Sequence, residues 1–163
     1  MSEIVQFFWY DLPNLLIFQH CAILVKINIE EIRMEGQWNV NANELAEIKA
    51  IADSNLDTPV LMININKYND GEYPNGETYQ DYLKILPKIL DEVGAKVLWQ
   101  LPALGQPVGS QAADEILGIW YPSHESFLSL PTAPSSVENF RIKNLCVSEA
   151  VVHRCPADVI PKS

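Results

Sequence analysis

The segment Pro59–Tyr68, PVLMININKY, constrains this chain more than any other stretch. A residue ahead of proline is pushed out of the helical region, so Thr58-Pro59 opens an extended run. Val60, Leu61, Met62, Ile63 and Ile65 then put apolar side chains on both faces, because side chains alternate along a strand. A strand apolar on both faces belongs inside a sheet that is covered from two sides. Asn64 and Asn66 fall on the face of Val60 and Met62. A buried asparagine needs hydrogen-bond partners. Asn64 therefore either bonds to a neighbouring loop or lines a pocket.

The elements around this strand follow from periodicity. Tyr79, Tyr82, Leu83, Leu86, Ile89, Leu90 and Val93 recur at helical spacing and predict a helix over 77–93, kinked at Pro87 and stopped at Gly94. Residues 95–101 predict a strand with Val97, Trp99 and Leu101 on one face. Residues 114–121 predict another, with Ile116, Gly118 and Trp120 on one face and Leu117, Ile119 and Tyr121 on the other. Ser123 suits the cap of a helix starting at His124. A further helix to about Leu145 and a strand over 148–153 complete the set, and upstream Asn43 suits the cap of a helix over 44–52. From Pro59 the order is strand, helix, strand, strand, helix, strand. That order predicts an α+β, ferredoxin-like βαββαβ fold with an antiparallel sheet and both helices on one face. The opposite face is also apolar. An uncovered face of that kind calls for a second copy, so a homodimer is expected.

The 163 residues divide into an N-terminal extension over 1–36, one domain over 37–155 and a tail over 156–163. The net charge of −10, from 21 acidic and 11 basic residues, argues against nucleic acid or an anionic membrane as partner. Cys21, Cys146 and Cys155 are widely spaced with no CxxC, so reduced thiols in a cytoplasmic protein are expected, with no metal and no cofactor. Residues 12–29 are apolar but are interrupted by Pro13, Asn14, Gln19, His20, Lys26 and Asn28, a poor membrane span. Glu3 and Asp11 stand where a secretory leader would be basic. Residues 22–32 alternate as a half-buried strand does and would add to a sheet edge or pair across a dimer. A third reading makes Met34 the natural start, in which case a truncate beginning there folds and dimerises like the full chain.

Taken in order, PVLMININKY, GETYQDYLKILPKILDEVGAKVLW, EILGIWYPSHESFLSL and FRIKNL resemble the domain-of-unknown-function family 1330, from about Asn43 to His153. The resemblance rests on the opening strand with Asn64, on Gly94 to Trp99, and on Tyr121-Pro122-Ser123 followed by Phe127. Arg141 stands where the family usually has an arginine. Asn66 departs from a commonly apolar position, and the first 36 residues have no counterpart. The family is similar to the dimeric α/β-barrel superfamily, which includes cofactor-free monooxygenases, haem-degrading enzymes, lactone isomerases and members without known activity. The resemblance thus implies a fold and a dimer but no particular reaction. It also implies a pocket between sheet and helices lined by Asn64, Trp120 and Arg141. In the haem-degrading relatives a histidine ligates iron at the helix position. Arg141 stays protonated and cannot, so haem is not expected.

The candidate catalytic residues are Arg141, Asn64 and His124; the candidate ligand-binding residues are Trp120, Trp99 and Tyr79. A guanidinium facing a pocket would hold a carboxylate or enolate by two parallel hydrogen bonds. The competing role for Arg141 is a surface salt bridge to Glu138 or Glu149. His124, at a helix start, suits acid–base work near neutral pH, against the commoner role of an exposed histidine. The tryptophans and Tyr79 suit a pocket wall or ordinary packing. There is no Ser–His–Asp order and no phosphate loop, and HESF lacks the second histidine of HExxH. Two readings follow. One is a cofactor-free enzyme acting on a small organic molecule, an anion if Arg141 binds it. The other is a non-catalytic homodimeric module that binds a small ligand or is structural.

Overall fold

The computed structural model describes residues 39–157. The strand expected over 22–32 and the Met34 start lie outside them. The elements are α1 (Ala42–Ala52), β1 (Val60–Tyr68), α2 (Glu77–Glu92), β2 (Lys96–Pro102), β3 (Glu115–Tyr121), α3 (His124–Leu128), a 3₁₀ turn (Leu130–Thr132), α4 (Ser136–Cys146) and β4 (Val147–Pro156). The strands form one sheet in the order β2-β3-β1-β4. Every neighbouring pair is antiparallel. This is the expected ferredoxin-like α+β fold.

Val60, Met62, Asn64, Asn66 and Tyr68 of β1 are buried beneath the helices, while the residues between them are half-buried. The core lies on that helix-covered face. There Met62, Leu117 and Ile119 meet a cluster that includes Tyr82, Leu86, Ile89, Leu90, Ile142 and Cys146. A fully buried side chain such as Ile89 contributes about 1.5–3 kcal/mol by leaving water. No described helix packs on the opposite face, where Leu61, Ile63, Ile65, Ile116 and Trp120 stand.

Two expectations need correction. The cap of α1 is Asn41, whose side-chain oxygen accepts from the N–H groups of Asn43 and Glu44 at 3.2 Å. The helix therefore begins earlier than an Asn43 cap would allow. In β2 the register shifts between Val97 and Trp99, so the expected shared face breaks. Val97 pairs with Ile119 and turns toward the helices, whereas Trp99 pairs with Gly118 and Leu101 with Ile116 on the other face. The bulge inserts Leu98 and reverses the alternation beyond it.

The Trp99 indole lies against Gly118, and a Cβ there would collide with it. Gly118→Ala is expected to displace the indole and cost about 1–3 kcal/mol, as overpacking does. A changed near-ultraviolet dichroism with a lowered urea midpoint would bear this out; an unchanged spectrum would refute it.

Candidate functional site at the Pro59–Pro156 end of the sheet

The three residues expected to share a pocket occupy three different places. Asn64 pairs with Leu117 on the helix-covered face, and its amide donates to the Met62 carbonyl at 3.1 Å. Trp120 pairs with Leu61 on the opposite face, with the Lys96 ammonium 4.9 Å from its ring centroid. Arg141 is exposed on α4 and makes two bonds of 2.8 Å to Glu138, the surface pairing weighed above. The buried residues of α4 are Ser136, Asn139, Ile142 and Cys146, which turns Arg141 outward. The expected convergence of Asn64, Trp120 and Arg141 therefore does not occur. Trp99 is on the Trp120 side of the sheet.

Tyr79 belongs to a buried polar cluster at the C-terminal end of β1. Its centre is Glu115, only 2% exposed. The Glu115 carboxyl accepts from Tyr68 Oη at 2.5 Å, Tyr79 Oη at 2.7 Å and Gln100 Nε2 at 2.5 Å. Tyr68, Tyr73 and Tyr79 pack ring on ring, with centroids 4.9–5.3 Å apart. Asn66, opposite Glu115 in the ladder, donates to Tyr68 Oη at 3.5 Å, and its own Oδ1 is buried with no partner. Burial, reinforced by Glu115, raises both the Tyr68 and the Tyr79 phenol above the ordinary tyrosine range. They remain donors at neutral pH. The cluster ties β1, α2, β2 and β3 together and is filled by its own rings.

His124 stands at the other end of β1, about 26 Å along the strand at 3.3 Å per residue. Ser123 caps α3 as expected, its oxygen accepting from Ser126 N–H at 3.0 Å. Asp57, just before β1, reaches the same helix start. Its carboxylate accepts from the N–H groups of His124 at 2.8 Å and Glu125 at 3.1 Å. The same carboxylate lies 2.8 Å from His124 Nδ1. Burial acts to raise the Asp57 carboxyl, but the bonds from His124 and Glu125 outweigh it and leave the carboxyl below its ordinary value. With a proton on Nδ1 facing Asp57, the remaining ring nitrogen, Nε2, is an acceptor.

His124 lines a groove of about 660 Å³ between α1, the start of β1 and the end of β4. Ala50, Ile51, Leu56, Pro59, Val60 and Pro156 make most of its wall apolar. Glu47 and Arg154 bring charge to it. The Arg154 guanidinium donates to Glu44 at 2.6 Å and to Glu47 at 2.7 Å, which pins α1 to β4. A smaller cleft on the far side of Pro59 and Pro156 is lined by Trp120. An apolar groove with a few polar groups, one of them a histidine backed by a perturbed carboxylate, has the make-up of a small-molecule site. Among the sequence candidates, His124 stands in this groove and Trp120 in the adjoining cleft.

Asp57, Glu47 and Arg154 were not legible as site residues. Asp57 lies 67 positions from His124, and Arg154 lies 107 and 110 positions from its two glutamates. No local motif connects them. The one available signal was the placement of Asp57 two residues ahead of the proline that opens the central strand.

No family model matches the chain, and no curated protein matches it. Among solved structures it is similar to the crystal structure of RPA0582, a protein of unknown function from Rhodopseudomonas palustris. That match has 21% identity and a TM-score of 0.58, over 74% of this chain and 95% of that one. It is also similar to the methylated RPA0582 protein, with 22% identity and a TM-score of 0.61, over 78% of this chain and 98% of that one. Among the described residues no helix is long and apolar enough to cross a membrane. The chain thus has the α+β, ferredoxin-like fold of proteins whose own function is unknown.

Proposed function

We propose that this chain is a homodimeric α/β barrel of the family-1330 kind, acting as a cofactor-free acid–base enzyme on a small organic molecule held beside His124. One observation carries the proposal: Asp57 lies 2.8 Å from His124 Nδ1, and the histidine lines a groove large enough for a ligand. Asp57 fixes the tautomer in which Nε2 accepts a proton, and it stabilises the imidazolium once the proton has moved. The reading replaces Arg141 with His124 as the central residue, because Arg141 is spent on Glu138 in solvent.

The test is deuterium exchange at carbon, followed by proton NMR across a panel of enolisable ketones, aldehydes and phenols. The full chain is expected to accelerate exchange in at least one compound. His124→Gln should cut that rate by about 10²–10⁴-fold, the usual worth of a positioned general base. Exchange unaffected by the substitution would end the proposal. The bonds from His124 and Glu125 N–H to Asp57 favour one alternative, since they also serve to anchor α3. In that non-catalytic module, ligands raise the melting temperature without any turnover.

The dimer is proposed to form through the sheet face of Leu61, Ile63, Ile65, Ile116 and Trp120. Leu101 adds to its apolar surface, 56% exposed in the single chain. A contiguous patch of this kind is a common mark of an interface. Ile63 lies near its middle, paired with Gly118 on one side and His153 on the other. Ile63→Glu is expected to turn a dimer into a monomer in sedimentation at micromolar concentration. A wild-type chain that sediments as a monomer would refute the assembly.

A further inference from the structure

We propose that the groove beside His124 takes a neutral molecule with a ring-sized apolar body and one hydroxyl donor, of the phenol class, and that it discriminates against carboxylates. The inference rests on the reading of His124 as the acceptor of the groove. Its first support is size: about 660 Å³ accommodates a small ring compound, and such pockets commonly span about 300–1,000 Å³. Its second support is the wall, where Ala50, Ile51, Leu56, Pro59, Val60 and Pro156 offer an aromatic or alicyclic body apolar contact.

Charge decides the rest. The charged side chains on the wall are Glu47 and Arg154, and they bond to each other at 2.7 Å. Arg154 also holds Glu44 at 2.6 Å. Its guanidinium thus already serves two carboxylates. A carboxylate ligand would have to share that guanidinium with both of them, and it would enter a neighbourhood where Glu44, Glu47 and Asp57 stand against a single guanidinium. An ammonium ligand would have to share Glu47 with Arg154. A neutral hydroxyl disturbs neither pair. Asp57 keeps the Nδ1 proton in place, so Nε2 presents a lone pair and what it lacks is a donor. A phenol supplies that donor and stays protonated at neutral pH, since its pKa is close to the ~10 of a tyrosine.

The experiment uses the full chain at pH 7 with labelled histidine, and follows the His124 ring resonance while p-cresol, p-toluate or benzylammonium is added. The p-cresol is expected to shift that resonance saturably and to bind at least about fivefold more tightly than p-toluate, the scale of one weakened ion pair. Glu47→Gln frees part of the guanidinium and is expected to narrow the gap. If p-toluate or benzylammonium binds as tightly as p-cresol, the ligand class is wrong while the His124 site stands. If no probe moves the His124 resonance, the site reading fails and the ligand class fails with it.

Discussion

Glu115→Ala is expected to destabilise the fold by about 3–5 kcal/mol. The substitution removes the acceptor for three donors at once: Tyr68 Oη, Tyr79 Oη and Gln100 Nε2. Each buried donor left without a partner costs about 1–3 kcal/mol. Gln100 can turn to solvent, because its residue is exposed, but the two phenols are packed between rings and cannot. Glu115→Gln should cost less, because its carbonyl still accepts and either phenol can rotate to take a bond from its amide. Urea unfolding of the three proteins measures the order. A Glu115→Ala variant within about 0.5 kcal/mol of wild type, the range of ordinary surface changes, would show that the cluster does not hold β1, α2, β2 and β3 together.

How much could be read beforehand differs between fold and site, and the reason is physical. The central place of β1 follows from apolar residues on both faces of PVLMININKY, a property of consecutive residues alone. The helix over Glu77–Glu92 and the order of strands around it are equally local. Facing across strands is not local. Parity correctly put Asn64 with Met62, and Trp120 with Gly118, but only the register pairing Asn64 with Leu117 says that those two faces are opposite. The bulge at Leu98 is likewise set by pairing with β3, and it moved Trp99 away from Val97. Glu115 opens β3, and its burial depends on tyrosines from β1 and α2. The pair of Asp57 and His124 joins two chain segments that meet only after β1 and β3 have paired.

Asp57→Asn is expected to abolish the proposed base while leaving the fold largely standing. In the wild type one carboxylate takes the His124 and Glu125 N–H groups and also faces His124 Nδ1. Asp57 Oδ1 takes His124 N–H and faces Nδ1, while Oδ2 takes Glu125 N–H, so an asparagine, with one carbonyl, must set its NH₂ against one side or the other. With the NH₂ on the Glu125 side, that bond is lost and His124 lacks the charge that stabilises its imidazolium. With the NH₂ on the His124 side, Nδ1 must become an acceptor and the ring proton moves to Nε2, and a histidine in that tautomer cannot take a proton from a ligand. Proton-exchange activity should fall by about 10²–10⁴-fold. The substitution also alters acid sensitivity, in a direction set by the Asp57 carboxyl. That carboxyl sits below its usual value of 3.8 in the folded chain. Its stabilisation is therefore complete above that unfolded value and is lost as pH falls through the lower, folded one. The substituted amide has no such proton to gain, so the stability gap between the two proteins should narrow in the acid range below about pH 4. Urea midpoints taken from pH 3 to pH 7 measure this. A gap that widens toward low pH would mean that the carboxylate is not held by the start of α3. Activity that survives Asp57→Asn would mean that His124 does not need the Asp57 carboxylate to do its work.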